Sequence, residues 1–486
     1  MASFNAQQQA AAKKKNTLAL VGVIVAAVLV IGLCVFNTMS TNGFFLRHKT
    51  AAQSEHFKVS NAVTSYLFNS EYQSFLGSYG MYASYFGLDS EKSLKTQPCS
   101  FIENGTWFDY FMTNAHNALE QYMYYAEEAH ARGLSLTAED KTLIDSTIDS
   151  IAAAAEEQGV GLNYYISTLY GTGMKKNDVK EALELIQLAS KGYKALKDEL
   201  DITDADIKAY ASDQGDAMKK ISYMTITIGL GDAVAEGNLT DAMITDYAKK
   251  FKSATTQSAF EKLAKEYYTA ASKGDDYYTE LVEDTVKSLT VEYADYNEND
   301  EFSVWAYNSS RKVGDVYTVA GENGEQTISL LLQTKALDTR KTVNVRHILI
   351  NADEDADAAK AKADEILAEY KAGAQTADAF GALANKYSAD AGSNTNGGLY
   401  ENVRPGEMVQ NFNDWCFDSS RKVGDTGIVE SDYGYHVMFL DALNGTVWEA
   451  DAKDAITSER MEGVYETLTG KYSVTLNEKV INSLAA

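Results

Sequence analysis

The stretch Val343-Asn344-Val345-Arg346-His347-Ile348-Leu349-Ile350 decides how the C-terminal half of this chain is read. Eight residues dominated by β-branched and aliphatic side chains predict a strand. Downstream, the apolar spacing predicts a helix over Ala356–Lys371 and a second over Thr376–Tyr387. The pair Gly397-Gly398 then marks a turn, and Tyr435–Leu440 reads as a closing strand. Strand, two helices, turn and strand within about 100 residues make a compact α+β unit.

The unit has a second copy. Phe302-Ser303-Val304-Trp305-Ala306-Tyr307 followed by Asn308-Ser309-Ser310-Arg311-Lys312-Val313-Gly314-Asp315 matches the run from Phe412 to Asp425, 110 residues later, and Ser-Ser-Arg-Lys-Val-Gly-Asp is identical in both. A match of this length implies two copies of one domain. The first copy offers Ile221–Ile228 as its opening strand, helices to about Leu289, and Thr327–Gln333 as its closing strand. The two copies are expected to occupy 216–340 and 341–445.

Before them, from about Thr50 to Tyr210, aromatic and aliphatic residues recur at three- and four-residue spacing, as in Trp107, Phe108, Phe111, Ala115, Leu119, Tyr122 and Ala126. That spacing predicts helices. Thr137…Asp140 and Thr203…Asp206 carry the hydroxyl-then-acid signature of helix starts. An all-α module is expected over 40–215. The stripe Tyr66, Phe68, Tyr72, Phe75, Tyr79, Tyr82, Tyr85 and Phe86 either lines a groove for unfolded chains or forms core; helical spacing favours core. After Trp448 a helical tail returns over 446–486, expected to pack on this module, with a break at Gly470-Lys471-Tyr472.

At the N-terminus, Lys13-Lys14-Lys15 precedes Leu18–Phe36, nineteen apolar or small residues without a charge. At 1.5 Å per residue the run spans roughly 28 Å, enough for a transmembrane helix. The lysines place residues 1–17 in the cytoplasm and the body outside it. Cleavage as a signal peptide is disfavoured because no small-residue site follows. The formal net charge of −26 becomes −29 once those three lysines are set aside, an acidic body that argues against nucleic-acid binding. Three cysteines argue against a disulfide framework, and Cys99 and Cys416 are expected as free thiols, with a single Cys99–Cys416 bridge as the lesser alternative. No His, Cys or acid cluster has metal-ligand spacing, so neither metal nor other cofactor is expected.

The second copy resembles the parvulin family of peptidyl-prolyl cis-trans isomerases along its length. The resemblance rests on Val345-Arg346-His347-Ile348-Leu349-Ile350; Phe380, Leu383, Ala384, Tyr387, Ser388 and Asp390; Gly397-Gly398-Leu399; Gly406-Glu407-Met408-Val409 with Phe412; Val423-Gly424-Asp425; and Tyr433-Gly434-Tyr435-His436-Val437. Singly, each side chain would be an ordinary core or turn residue; their order and spacing make the match specific. The resemblance implies a four-stranded antiparallel sheet with surrounding helices. It places His347, Asp390 and His436 in catalytic positions and Leu399, Met408 and Phe412 in a proline-binding pocket, with Tyr433 in support. In the first copy, Thr225 aligns with His347 and about Ser329 with His436, and the Gly-Gly-Leu and Gly-Glu-Met elements are missing. That copy is expected to be inactive.

Anchor, helical module, tandem parvulin units and helical tail together look like exported foldases of the PrsA-like and SurA-like kind. The expected activity is isomerisation of X-Pro bonds in newly exported or unfolded polypeptides at the outer face of the cell membrane. A non-catalytic holdase that binds extended chains is the alternative, and a surface scaffold or adhesion module is a third reading.

Overall fold

In the computed structural model the described residues are 43–229, 239–273, 282–283, 285–321, 324–352, 355–390, 392–394 and 396–483. The expected membrane segment Leu18–Phe36 lies outside them. Among the described residues no helix is long and apolar enough to cross a membrane. The chain divides into two compact units, Met1–Leu200 with Glu459–Ala486, and Asp201–Ser458.

The first unit is built on the helices Asn61–Tyr79, Trp107–Ala131, Ala138–Glu157 and Lys176–Asp198. Thr137 starts the third of these as the sequence predicts: its hydroxyl accepts from the Asp140 N–H, and its own N–H donates to Asp140. Phe111, Ala115, Leu119 and Met123 recur every four residues, share one helix face, and are buried. Gly192 lets two helices meet closely, since a Cβ there would lie 2.2 Å from the Tyr125 carbonyl oxygen. Phe68 and Phe75 are buried in this core and Tyr66, Tyr72 and Phe86 pack partly buried against it, whereas Tyr79, Tyr82 and Tyr85 are exposed. Five of the eight aromatic residues of the stripe therefore belong to the core.

The module is not all-α. Thr50–Gln53 forms the middle of a three-stranded antiparallel sheet between Lys58–Ser60 and Thr475–Leu476, with Ala52 opposite Leu476. Strands of two to four residues are too short to show a period, and one of them comes from the far end of the chain. Nearby Ile481 is fully buried in the same core as Trp107. Met461 and Leu468 pack with Tyr124, Tyr125, Ala189 and Leu196.

Glu128 holds part of this unit together electrostatically. Buried, it accepts hydrogen bonds from Arg132 Nε, Lys471 Nζ and Tyr472 Oη, each at 2.7 Å. Burial pushes its carboxyl pKa up, but those three donors outweigh burial and bring it down to about 2. A depressed carboxyl stabilises the fold above its unfolded pKa, and that stabilisation is lost as pH falls through the folded value. Glu128→Gln is expected to cost about 2 kcal/mol at neutral pH, less than a fully buried pair because Lys471 is half exposed. Urea denaturation of the full chain reads this directly; an unchanged midpoint would show the cluster to be neutral.

The second unit contains both copies. In copy two the elements are β1 (Lys341–Ile350), α1 (Ala356–Ala372), α2 (Ala377–Tyr387), β2 (Leu399–Val403), α3 (Gln410–Phe417), β3 (Thr426–Ser431) and β4 (Gly434–Thr446). The sheet runs β2-β1-β4-β3 with every pair antiparallel. Alternation along the strands gives it two apolar faces. Ile348, Tyr435, Val437 and Phe439 meet Ala363, Ile366 and Phe380 of α1 and α2. Val343, Val345, Met438 and Leu440 meet Phe412, Trp415 and Cys416 of α3.

Copy one repeats the plan. Its strands, in sheet order, are Glu292–Ala294, Lys219–Ile228, Gln326–Leu337 and Val316–Ala320, and the short helix Glu301–Ala306 stands in the place of α3. The repeated Ser-Ser-Arg-Lys-Val-Gly-Asp serves the scaffold in both. Gly314 and Gly424 have φ of 91° and 92°, donate to the carbonyls of Leu331 and Leu440 at 2.8 Å, and follow an arginine lying over Trp305 or Trp415. Cys99 and Cys416 are free, buried thiols.

Candidate active site

Strand alternation sets His347 on the α3 face of the sheet, two residues beyond Val345, and sets His436 beside Met438 on the same face. Both imidazoles are buried. Their Nδ1 atoms are 3.1 Å apart and the rings stack at 22°. Phe412 meets both edge-on, with centroid distances of 5.3 Å and 5.4 Å. Met408 packs half-buried on the same cluster.

Asp390 follows α2 and reaches the other side of His347, with Oδ2 at 2.7 Å from Nε2. The same oxygen accepts from Ser393 Oγ and, at 3.0 Å, from Tyr400 Oη; Oδ1 accepts the Gly392 N–H at 3.1 Å. His347 first, and then Ser393 and the Gly392 N–H, outweigh burial and hold the carboxyl well below the usual carboxylate range. At the far end, Ser431 Oγ lies 2.7 Å from His436 Nε2. Burial, and then the neighbouring His347, lower the pKa of His436 to about 4, so its ring is neutral at physiological pH.

The hydrogen-bond inventory fixes the direction at Asp390 and, for a neutral His347, along the rest of the chain. An ionised Asp390 only accepts, so His347 Nε2–H donates to it. In a neutral His347, Nδ1 must then accept; His436 Nδ1–H donates to it, and the Ser431 hydroxyl donates to His436 Nε2. The result is one oriented line of four side chains from Ser431 to Asp390, with Ser393 and Tyr400 closing on its acidic end.

The double glycine makes this approach possible. Gly397 and Gly398 have φ of 64° and 68°, and a Cβ on Gly398 would lie 2.2 Å from the His347 carbonyl oxygen. The His347 N–H donates to the Gly398 carbonyl at 2.9 Å. Only glycine brings the turn this near.

The structure brings together His347, His436, Asp390, Met408 and Phe412, and separates two other expected residues from them. Leu399 is opposite Arg346 in the β1–β2 ladder, whereas Tyr400 is opposite Val345. Cross-strand partners share a face, so Tyr400, not Leu399, faces the site. A displacement of one residue in the reading puts a strand residue on the wrong side of the sheet. Tyr433 is 63% exposed and its backbone N–H, not its ring, reaches the site through Ser431 Oγ at 3.2 Å. Ser393, Tyr400 and Ser431 were not singled out from the sequence; the alternation running back from His436 to Ser431 across the turn, and the glycine at 392, were signals available for two of them.

Copy one needs a similar shift. Thr225 corresponds to His347, but the strand ladders place Thr327, not Ser329, at the position of His436: Thr327 is opposite Val319 as His436 is opposite Val429. There, Thr225 Oγ1 pairs with Ser329 Oγ at 2.9 Å and Thr227 Oγ1 with Thr327 Oγ1 at 3.0 Å. Hydroxyl pairs occupy the face where copy two carries imidazoles.

A family model described as the PPIC-type PPIASE domain matches residues 327–442. Foldase protein PrsA 1 of Listeria innocua is 30% identical over 245 residues, covering 47% of this chain and 75% of that protein. The chain belongs to the PrsA foldase family. Foldase protein PrsA 1 of Listeria monocytogenes is 29% identical over 246 residues, with the same 47% and 75% coverage. Chaperone SurA of Chromohalobacter salexigens is 24% identical over 314 residues, covering 62% of this chain and 66% of that protein. As a PrsA-type foldase it carries a peptidyl-prolyl isomerase domain of the parvulin kind, and its fold is α+β.

Proposed function

We propose that the isomerase activity resides at the α3 face of copy two and acts on X-Pro bonds of exported polypeptides, with the chain held at the membrane by Leu18–Phe36. The observation that carries this reading is the oriented line Ser431, His436, His347, Asp390 lying against the apolar Met408 and Phe412. Peptide-bond rotation has a barrier of about 18–20 kcal/mol because resonance must be broken, and no covalent intermediate is required. A proline ring held on Met408 and Phe412 sits in a low-dielectric place that disfavours the charge-separated planar amide. The buried imidazoles keep their geometry through each other and through Asp390, so no reorganisation accompanies rotation.

The test is a prolyl-peptide isomerisation assay on the full chain. Met408→Ala and Phe412→Ala each remove roughly 1.5–3 kcal/mol of apolar contact with the proline, so kcat/KM should fall by about 10- to 100-fold. Wild-type rates in both variants would sink the assignment. A client-holding role for the helical unit is a second reading, supported by the exposed Tyr79, Tyr82, Tyr85 and Phe101. Suppression of client aggregation retained in the two inactive variants would favour it. The roles of copy one as an inactive partner, and of Trp448 to Leu484 as part of the chaperone module, belong to this same proposal.

A further inference from the structure

Tyr400 does more than donate to the acidic end of that line, and four observations converge on it. Its position opposite Val345 turns it to the imidazole face. Its ring centroid is 5.5 Å from that of His347, and it packs with Met408 on the cluster under α3. Its hydroxyl donates to Asp390 Oδ2 at 3.0 Å. The chain also makes room for that hydroxyl: a Cβ on Gly392 would lie 2.9 Å from it, so residue 392 has no side chain where the phenol must pass.

From this geometry we propose that Tyr400 is a positioning residue of the isomerase, its hydroxyl fixing the Asp390 carboxylate against His347 and its ring forming one wall of the proline slot. The inference rests on the placement of the active site in copy two and adds the device that keeps its acidic end in register. Asp390 has two jobs, to stay ionised and to keep one oxygen on His347 Nε2. A carboxylate at the end of a loop rotates freely about its last bond unless other donors pin it. Ser393 pins it from its own loop, and Tyr400 pins it from β2, an element that belongs to the sheet. The lock therefore ties a loop residue to the same sheet that carries both histidines. Burial, and then Asp390, push the Tyr400 hydroxyl up to about 12, so it remains a donor at any working pH.

The titratable groups facing Asp390 are His347 on β1 and Tyr400 on β2, with His436 on β4 one ring further away. Removing a donor raises the pKa of a carboxylate. In Tyr400→Phe the ring stays and the hydroxyl goes, so kcat should drop roughly 10-fold with KM within about twofold, and the acid limb of the rate profile should move toward neutral pH. Tyr400→Leu removes the wall as well and should raise KM in addition. Independently of activity, the carboxyl carbon resonance of Asp390 should titrate at higher pH in Tyr400→Phe than in wild type.

Equal kcat, an unmoved acid limb and an unchanged Asp390 titration in Tyr400→Phe would overturn the inference. A wild-type chain with no isomerase rate would remove the functional reading instead, and the Asp390 titration would still decide what Tyr400 does.

Discussion

His436→Ala is expected to lower kcat/KM for prolyl isomerisation by roughly 100-fold, with His347→Ala at least as damaging. The reason is the pairing of the hydrogen bonds. His436 links Ser431 Oγ through its Nε2 to His347 Nδ1 through its own Nδ1. Its loss leaves a buried nitrogen of His347 without a partner and frees the His347 ring to turn away from Asp390. Imidazole rotation and a relaxed slot then have to be corrected in every turnover. His436→Gln, which can still donate and accept, should recover part of the rate. A prolyl-peptide assay in His436→Ala at wild-type speed would mean that the line of side chains is structural only.

The same network makes the domain sensitive to acid, with a definite sign. The folded pKa of His436 is lowered from its usual 6.5 to about 4, so the unfolded chain binds the proton more readily. Stability from this group is complete above pH 6.5 and declines as pH falls toward 4. Asp390, also depressed, adds its own loss at still lower pH.

In the helical unit, Trp107→Ala should destabilise by about 3–5 kcal/mol, the range for deleting a large buried aromatic. Trp107 is fully buried and its ring lies 5.0 Å from that of Phe75 and 5.6 Å from that of Phe111, with Phe101 and Tyr110 edge-on. It also starts a helix, so collapse of the cavity would have to move a helix end capped by Thr106 and Asp109. Trp107→Phe is expected to cost much less, because the indole Nε1 is buried with no hydrogen-bond partner among the described residues, and its removal relieves that penalty. Chemical denaturation of both variants separates the contributions. Equal losses would show that the indole nitrogen carries no cost.

Legibility followed the range of the interactions. β1 and β4 were readable because strand periodicity is local, and both histidines came with them. Asp390 and Phe412 were placed by the order of motifs, which survives small insertions. Leu399 failed because a turn with two left-handed glycines lies just before it and Asn402, with φ of 52°, lies just after, so the register against β1 shifts within the strand. A one-residue ambiguity is harmless in a helix and inverts a strand. The pairing of Ala52 with Leu476 was invisible for another reason: nothing local marks two residues as a strand when their partner is more than 400 positions away. Tyr400 and Ser431 escaped because their value comes from partners on other strands.

The matching ladders of the two copies have an evolutionary consequence. Thr225 and Thr327 occupy the same stations as His347 and His436, on strands in the same order, so gain or loss of imidazole at these points is a change of side chain that leaves the backbone untouched. The copies also differ elsewhere: copy one has no Gly-Gly pair in its sequence, and Glu298 stands where copy two has Met408. The sheet is thus the part that the two copies share, and the connections are where they part company.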